Sequence, residues 1–160
     1  MMREFCLALS VSAAIAAPAM ACPKAAIIPQ TNTFVQMGAG GDPNVRAYDA
    51  TMSNPTVACE QRAGALKLSL SIRIDARLAP NVEAKPVQVP YFVAIQRKDK
   101  IIAKEIFPAR IGFSDGKTVI SVQEQVDRIS VPIDGGHTAN DMTVLTGFQL
   151  SREQLRALTP

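Results

Sequence analysis

The sequence predicts an all-β protein, an antiparallel sandwich of the immunoglobulin/fibronectin-III-like kind closed by a short C-terminal helix. Three observations predict it. From Leu66 to Asp75 apolar and polar residues alternate without a fault, the period of a strand with one buried face. Turn chemistry recurs along the chain, at Gly38-Ala39-Gly40-Gly41-Asp42-Pro43, Asn54-Pro55, Ala79-Pro80-Asn81, Ser114-Asp115-Gly116 and Asp134-Gly135-Gly136-His137. Between those turns no crossover helix is visible. A parallel α/β fold needs such helices, whereas seven or more short strands suit a sandwich.

Met1 to Ala21 reads as a secretory signal peptide. Arg3 gives a basic start, Leu7 to Ala17 is an uncharged apolar run, and Ala19-Met20-Ala21 supplies the small residues of a cleavage site. The run is too short to span a bilayer, which takes roughly 20 residues. Cleavage leaves Cys22 to Pro160 as one β-sandwich domain, exported to the periplasm.

Short strands are expected at Ala25 to Ile28 and Phe34 to Met37, and a looser one at Val45 to Met52. In the Leu66 to Asp75 strand, burial of Leu66, Leu68, Leu70, Ile72 and Ile74 contributes on the order of 10 kcal/mol before entropy is subtracted. Val87 to Gln96 and Ile101 to Phe107 flank Arg97-Lys98-Asp99-Lys100 as a β-hairpin. Lys117 to Val122 and Val126 to Val131 read as one strand broken by a bulge near Glu124 and Asp127, and Met142 to Leu150 is the last strand. Ser151 caps the helix, with Gln154 three residues on as in a capping box. Its Leu155 and Leu158 are expected to cover Phe92, which lies on the opposite face of its strand from Val89, Tyr91, Val93 and Ile95.

The net charge is +3 and the basic residues are scattered. With no basic cluster, no Trp and an export signal, nucleic acid is not expected as a partner. No motif carries a reaction. His137, the single histidine, sits in a Gly-rich turn between Asp134 and Asp141 and reads as solvated rather than metal-ligating. Lys104 and Glu105 occupy opposite faces of one strand and read as edge charges that block aggregation, not as an acid/base pair. Glu124 and Asp127 have no partner acid at a defined distance. Gly38-Ala39-Gly40-Gly41 precedes Asp42-Pro43 and no helix, so it reads as a mobile loop, not a phosphate cradle. No catalytic residue, metal or cofactor is expected.

Cys6 leaves with the signal peptide, and Cys22 and Cys59 remain as an even pair in an oxidising compartment. A disulfide between them closes a loop of about 38 residues, worth roughly 4 kcal/mol on the chain-entropy model. The competing reading is lipidation. Ala19-Met20-Ala21-Cys22 is a weak lipobox, and a lipid on Cys22 would anchor the chain to the outer membrane and strand Cys59 as a lone thiol.

The chain resembles a family of small uncharacterised lipoproteins and secreted proteins of Gram-negative, mainly alphaproteobacterial, envelopes. The resemblance rests on Pro90-Tyr91-Phe92-Val93-Ala94-Ile95, Ile102-Ala103-Lys104-Glu105-Ile106-Phe107, Val144-Leu145-Thr146-Gly147-Phe148-Gln149-Leu150-Ser151 and Glu153-Gln154-Leu155. Cys22-Pro23 and Cys59-Glu60 extend it. In such relatives a separate lipidated cysteine often precedes the Cys-Pro pair. This chain has none in that place, which favours Cys22 as the disulfide partner. The resemblance implies an envelope compartment and brings no activity.

The expected function is therefore a non-enzymatic periplasmic binding or assembly module for a protein or cell-envelope component. Contact with a membrane is expected only if Cys22 is lipidated. The alternatives are a small-ligand carrier, with a pocket between the sheets or under the terminal helix, and a periplasmic hydrolase.

Overall fold

Leu66, Leu68, Leu70, Ile72 and Ile74 stand in one buried row, each 2 % exposed or less, and the row continues through Ala76 and Leu78. Around it a computed structural model describes residues 21–134, 136 and 138–158. The strands are β1 (Lys24–Ile27), β2 (Thr33–Met37), β3 (Arg46–Arg62), β4 (Ala65–Leu78), β5 (Pro86–Arg97), β6 (Lys100–Gly112), β7 (Val119–Pro132) and β8 (Met142–Phe148), followed by the helix α1 (Arg152–Leu158). The signal-peptide reading of residues 1–20 and the reading of His137 lie outside the described residues.

Two four-stranded sheets face each other, in the orders β1-β8-β5-β6 and β2-β3-β4-β7. The expected sandwich and terminal helix are present. The pairing does not establish the immunoglobulin connection order. Here β2, β3 and β4 lie side by side, whereas the immunoglobulin constant arrangement sets its second strand beside its fifth. One pair also departs from antiparallel: β1 runs parallel to β8, from Lys24 opposite Thr143 to Ile27 opposite Thr146.

Several boundaries move for stated reasons. Asn54-Pro55 does not end a strand. Asn54 takes a left-handed conformation (φ 51°) and the pairing register shifts between Ser53 and Thr56, so a bulge absorbs the proline and β3 runs on to Arg62. The true end is the Ala63-Gly64 turn, both residues left-handed (φ 50° and 76°), with Arg62 paired to Ala65. The expected bulge in β7 is present. Leu68 pairs with Ile129 and Leu70 with Val126, so Asp127 and Arg128 together oppose Ser69. Gly38 to Asp42 form a 3-10 turn, with Gly38, Gly40 and Gly41 left-handed and Gly38 donating to the Val45 carbonyl at 2.8 Å.

The core between the sheets is one continuous cluster, from Phe34 and Tyr48 to Phe148 and Leu150. Cys22 and Cys59 are joined by a disulfide, with α-carbons 5.5 Å apart. It ties the segment before β1 to β3, and so one sheet to the other.

The helix caps as expected but docks elsewhere. Ser151 N–H donates to Gln154 Oε1 (2.8 Å), and Gln154 N–H donates to Ser151 Oγ (3.2 Å). Gln154 Nε2 donates to the Val35 carbonyl (3.2 Å), which ties α1 to β2 in the other sheet, and Leu158 packs on the core while Leu155 is 38 % exposed. Phe92 is 6 % exposed without the helix. Its ring lies against Gly147, and Lys104 Nζ sits 4.8 Å from the ring centroid.

Candidate functional site

Four of the described strands end a sheet, β1, β6, β2 and β7, and among them β6 gathers the most exposed apolar side chains. It ends its sheet, pairing with β5 alone among the described strands. It is also apolar where it is exposed: Ile101 is 53 %, Ile102 44 % and Ile106 54 % open to solvent. Exposed apolar groups on a strand edge form a natural surface for another chain.

Two prolines decide which backbone groups that edge presents. Pro90 on β5 stands directly opposite Pro108 on β6. Neither has an N–H, so this cannot be a pair that exchanges hydrogen bonds. Antiparallel pairs alternate, so Phe92–Ile106 and Ala94–Lys104 are also non-bonded pairs, while Tyr91–Phe107 and Val93–Glu105 exchange bonds. The other side of β5 agrees: the Pro90 carbonyl accepts from Gln149 N–H (2.9 Å), and the Phe92 carbonyl accepts from Thr146 Oγ1 (2.8 Å). Hence on β6 the N–H and C=O groups of Lys104 and Ile106 point away from β5, out of the sheet. Pro108 adds a carbonyl and no donor.

The two faces of β6 differ. On the outer face Ile101, Lys104 and Ile106 share a side with Gln96, Ala94 and Phe92. On the inner face Ala103, Glu105 and Phe107 share a side with the core residues Ile95, Val93 and Tyr91. There the sheets part, leaving a cavity of about 110 Å³ lined by Val93, Ala103, Glu105, Phe107 and Ile129. Phe107 stacks on Tyr91 with centroids 5.7 Å apart. Tyr91 Oη donates to Glu124 Oε2 (3.3 Å), and burial together with the Glu124 charge holds the phenol well above its ordinary pKa. Glu105 lines the cavity in this seam, as does Lys104, whereas Glu124 is placed by Tyr91 and is not in the lining; neither carboxylate forms a salt bridge among the described residues.

The other residues considered from sequence fall as follows. Asp141 accepts from Thr138 N–H (3.0 Å) in a capping box, and it caps a turn. Asp127 accepts from Ser69 Oγ (2.5 Å) and Gln125 Nε2 (2.9 Å) on the outer face of the second sheet, where these bonds hold its carboxyl below the usual range. Glu124 points inward, 33 positions from the tyrosine it meets, and is not beside Asp127. Among the described residues no group of three or more His, Cys, Asp or Glu stands together for a metal. A cleft of about 720 Å³ lies between α1 and β2, bordered by Val35, Met37, Arg46 and Gln154. The core cluster occupies the space between the sheets.

The sequence reading of Lys104 and Glu105 as edge charges agrees with the place of β6 at the end of its sheet; which of its backbone groups face outward was not legible there. The register that the Lys98-Asp99 turn sets would place Pro90 opposite Phe107; the bulge at Ile102 shifts it by one residue and brings Pro90 opposite Pro108.

No protein-family model, no curated protein and no solved structure matches the chain.

Proposed function

We propose that the mature chain is a non-enzymatic binding module of an oxidising envelope compartment, and that it holds a protein partner through the β6 edge. The observation that carries this reading is the contrast between a continuous apolar core and an apolar open edge. The space between the sheets is filled by side chains. The apolar surface instead collects at Ile101, Ile102 and Ile106, beside backbone groups that point out of the sheet. The Cys22–Cys59 disulfide supports an oxidising compartment, as does the resemblance to small envelope proteins.

The cleft beside α1 favours a second reading, a small-ligand carrier. It joins apolar Val35 and Met37 to the charge of Arg46 in one concavity.

The test is capture from an envelope extract, with the exported protein as bait. An Ile106→Glu bait should lose a component that both the wild type and a Val119→Glu bait retain. Val119 is 70 % exposed but lies on β7, so it controls for added surface charge. Identical captures from all three baits would remove the β6 reading.

A further inference from the structure

We propose that β6 accepts an extended segment of a partner protein as an added strand, and that this segment carries a lysine or arginine facing the seam between two apolar residues facing outward. The proposal rests on the binding-module reading above and names its partner chemistry. Main-chain bonding would come from Lys104 and Ile106, whose N–H and C=O groups β5 does not use. Pro108 limits the addition to a short run, since it offers no donor.

The residue of the incoming strand opposite Glu105 would stand in a non-bonded pair, because Glu105 exchanges its own bonds with Val93. Side chains approach most closely in such pairs. That residue faces the seam, directly across from the Glu105 carboxylate and beside apolar Phe107 and Ile129. A long basic side chain suits both, with its stem along Phe107 and Ile129 and its charge near the Glu105 carboxylate. The residues on either side of it face outward with Lys104 and Ile106. Apolar side chains there would extend the Phe92–Ile106 surface.

A second copy of the chain fits this edge poorly. A two-fold antiparallel pairing must match residues of the same face and the same bonding class. Centred on Lys104, it sets that lysine against its own copy. Centred on Glu105, it does the same with the carboxylate. Centred on Ile106, it asks Pro108 for an N–H it lacks. Each register that engages the open groups therefore carries a repulsion or a missing bond.

The experiment uses the exported protein, isotope-labelled, and two blocked peptides, acetyl-Thr-Ile-Lys-Ile-Thr-amide and the same sequence with glutamate at the centre. The lysine peptide should shift the amide resonances of Lys104 and Ile106, slow their hydrogen exchange, and bind at least tenfold more tightly than the glutamate peptide. Glu105→Lys should reverse that preference. Ile106→Pro should abolish binding. As a measurement independent of the folding of that variant, methylating the two isoleucine amides of the lysine peptide should abolish binding to the wild type. Binding that ignores the central charge, or that survives methylation, would overturn the proposal. So would a dimer of the wild type, seen by sedimentation, that Ile106→Pro dissolves. If neither peptide binds while the Ile106→Glu bait still loses its captured component, the added strand fails and the binding-module reading stands.

Discussion

Pro90 and Pro108 face each other across the β5–β6 ladder, and between them they leave the amides of Lys104 and Ile106 pointing out of the sheet. A proline at Ile106 therefore removes a donor that the fold does not use, whereas one at Phe107 removes a donor bonded to Tyr91. Ile106→Pro should lower stability by less than about 1 kcal/mol, and Phe107→Pro by at least about 2 kcal/mol through a lost ladder bond and a disturbed aromatic pair. Denaturant melts of the two variants check this. Equal losses would show that the alternation has been assigned to the wrong set of residues.

Gly147 is needed for want of room. A Cβ added there would run into the Thr31 side chain and stand 3.2 Å from the Phe92 ring. Thr31 is held in place, with Oγ1 donating to the Ile28 carbonyl (2.8 Å) and its own carbonyl accepting from Phe148 N–H (2.7 Å). Gly147→Ala should destabilise the protein by about 1–3 kcal/mol, the cost of overpacking. Thr31→Ala in the same chain removes Oγ1 but keeps a Cβ 2.7 Å from the added methyl, so it should recover only part of that loss. A double variant no better than Gly147→Ala would mean that the backbone, not the threonine, is displaced.

The disulfide is expected to be the largest single covalent contribution to stability. Replacing both Cys22 and Cys59 with Ser should cost about 4 kcal/mol on the chain-entropy model, read from denaturant midpoints of oxidised wild type and variant. Mass spectrometry of the exported protein should find no free thiol. A lipid on Cys22 would be incompatible with the bond, since the same sulfur cannot hold both.

Acid should weaken the protein through two exposed aspartates. Arg73 and Ser121 donate to Asp75, and Ser69 and Gln125 donate to Asp127, which holds both carboxyls below their usual pKa. A carboxyl depressed in the folded state adds stability that is present above its unfolded value of about 3.9 and is lost as pH falls through the folded value. Melting temperature should therefore be steady above about pH 5 and fall below about pH 4. Asp75→Asn with Asp127→Asn should flatten part of that decline. A double variant with an unchanged acid limb would place the titrating groups elsewhere.

How much of this was legible depends on how local each cause is. The buried row from Leu66 to Ile74 follows from a period of two, which the chain carries in itself. The Ser151–Gln154 capping box is equally local, spanning one helical turn. The cysteine pair needed only counting, once Cys6 was assigned to the signal peptide. Turn chemistry was readable but ambiguous. Asn54-Pro55 has the composition of a turn and makes a bulge, because a left-handed Asn and a missing N–H serve either. Ala63-Gly64 makes a true hairpin turn, although alanine seldom takes a left-handed conformation. The candidate site was the least legible part. Lys104 and Glu105 hinted at an edge, but that β6 lies at one depends on β8 taking the other side of β5 and on β7 joining the second sheet, both long-range choices. The meeting of Tyr91 with Glu124 and the docking of α1 on β2 depend in the same way on how the two sheets close. By itself the sequence determined the strands, the helix cap and the covalent bridge, since each is set by near neighbours or by a count. Only the tertiary structure decided which strands end a sheet and which backbone groups they turn outward, because an open edge is a property of the whole sheet and not only of the residues that form it.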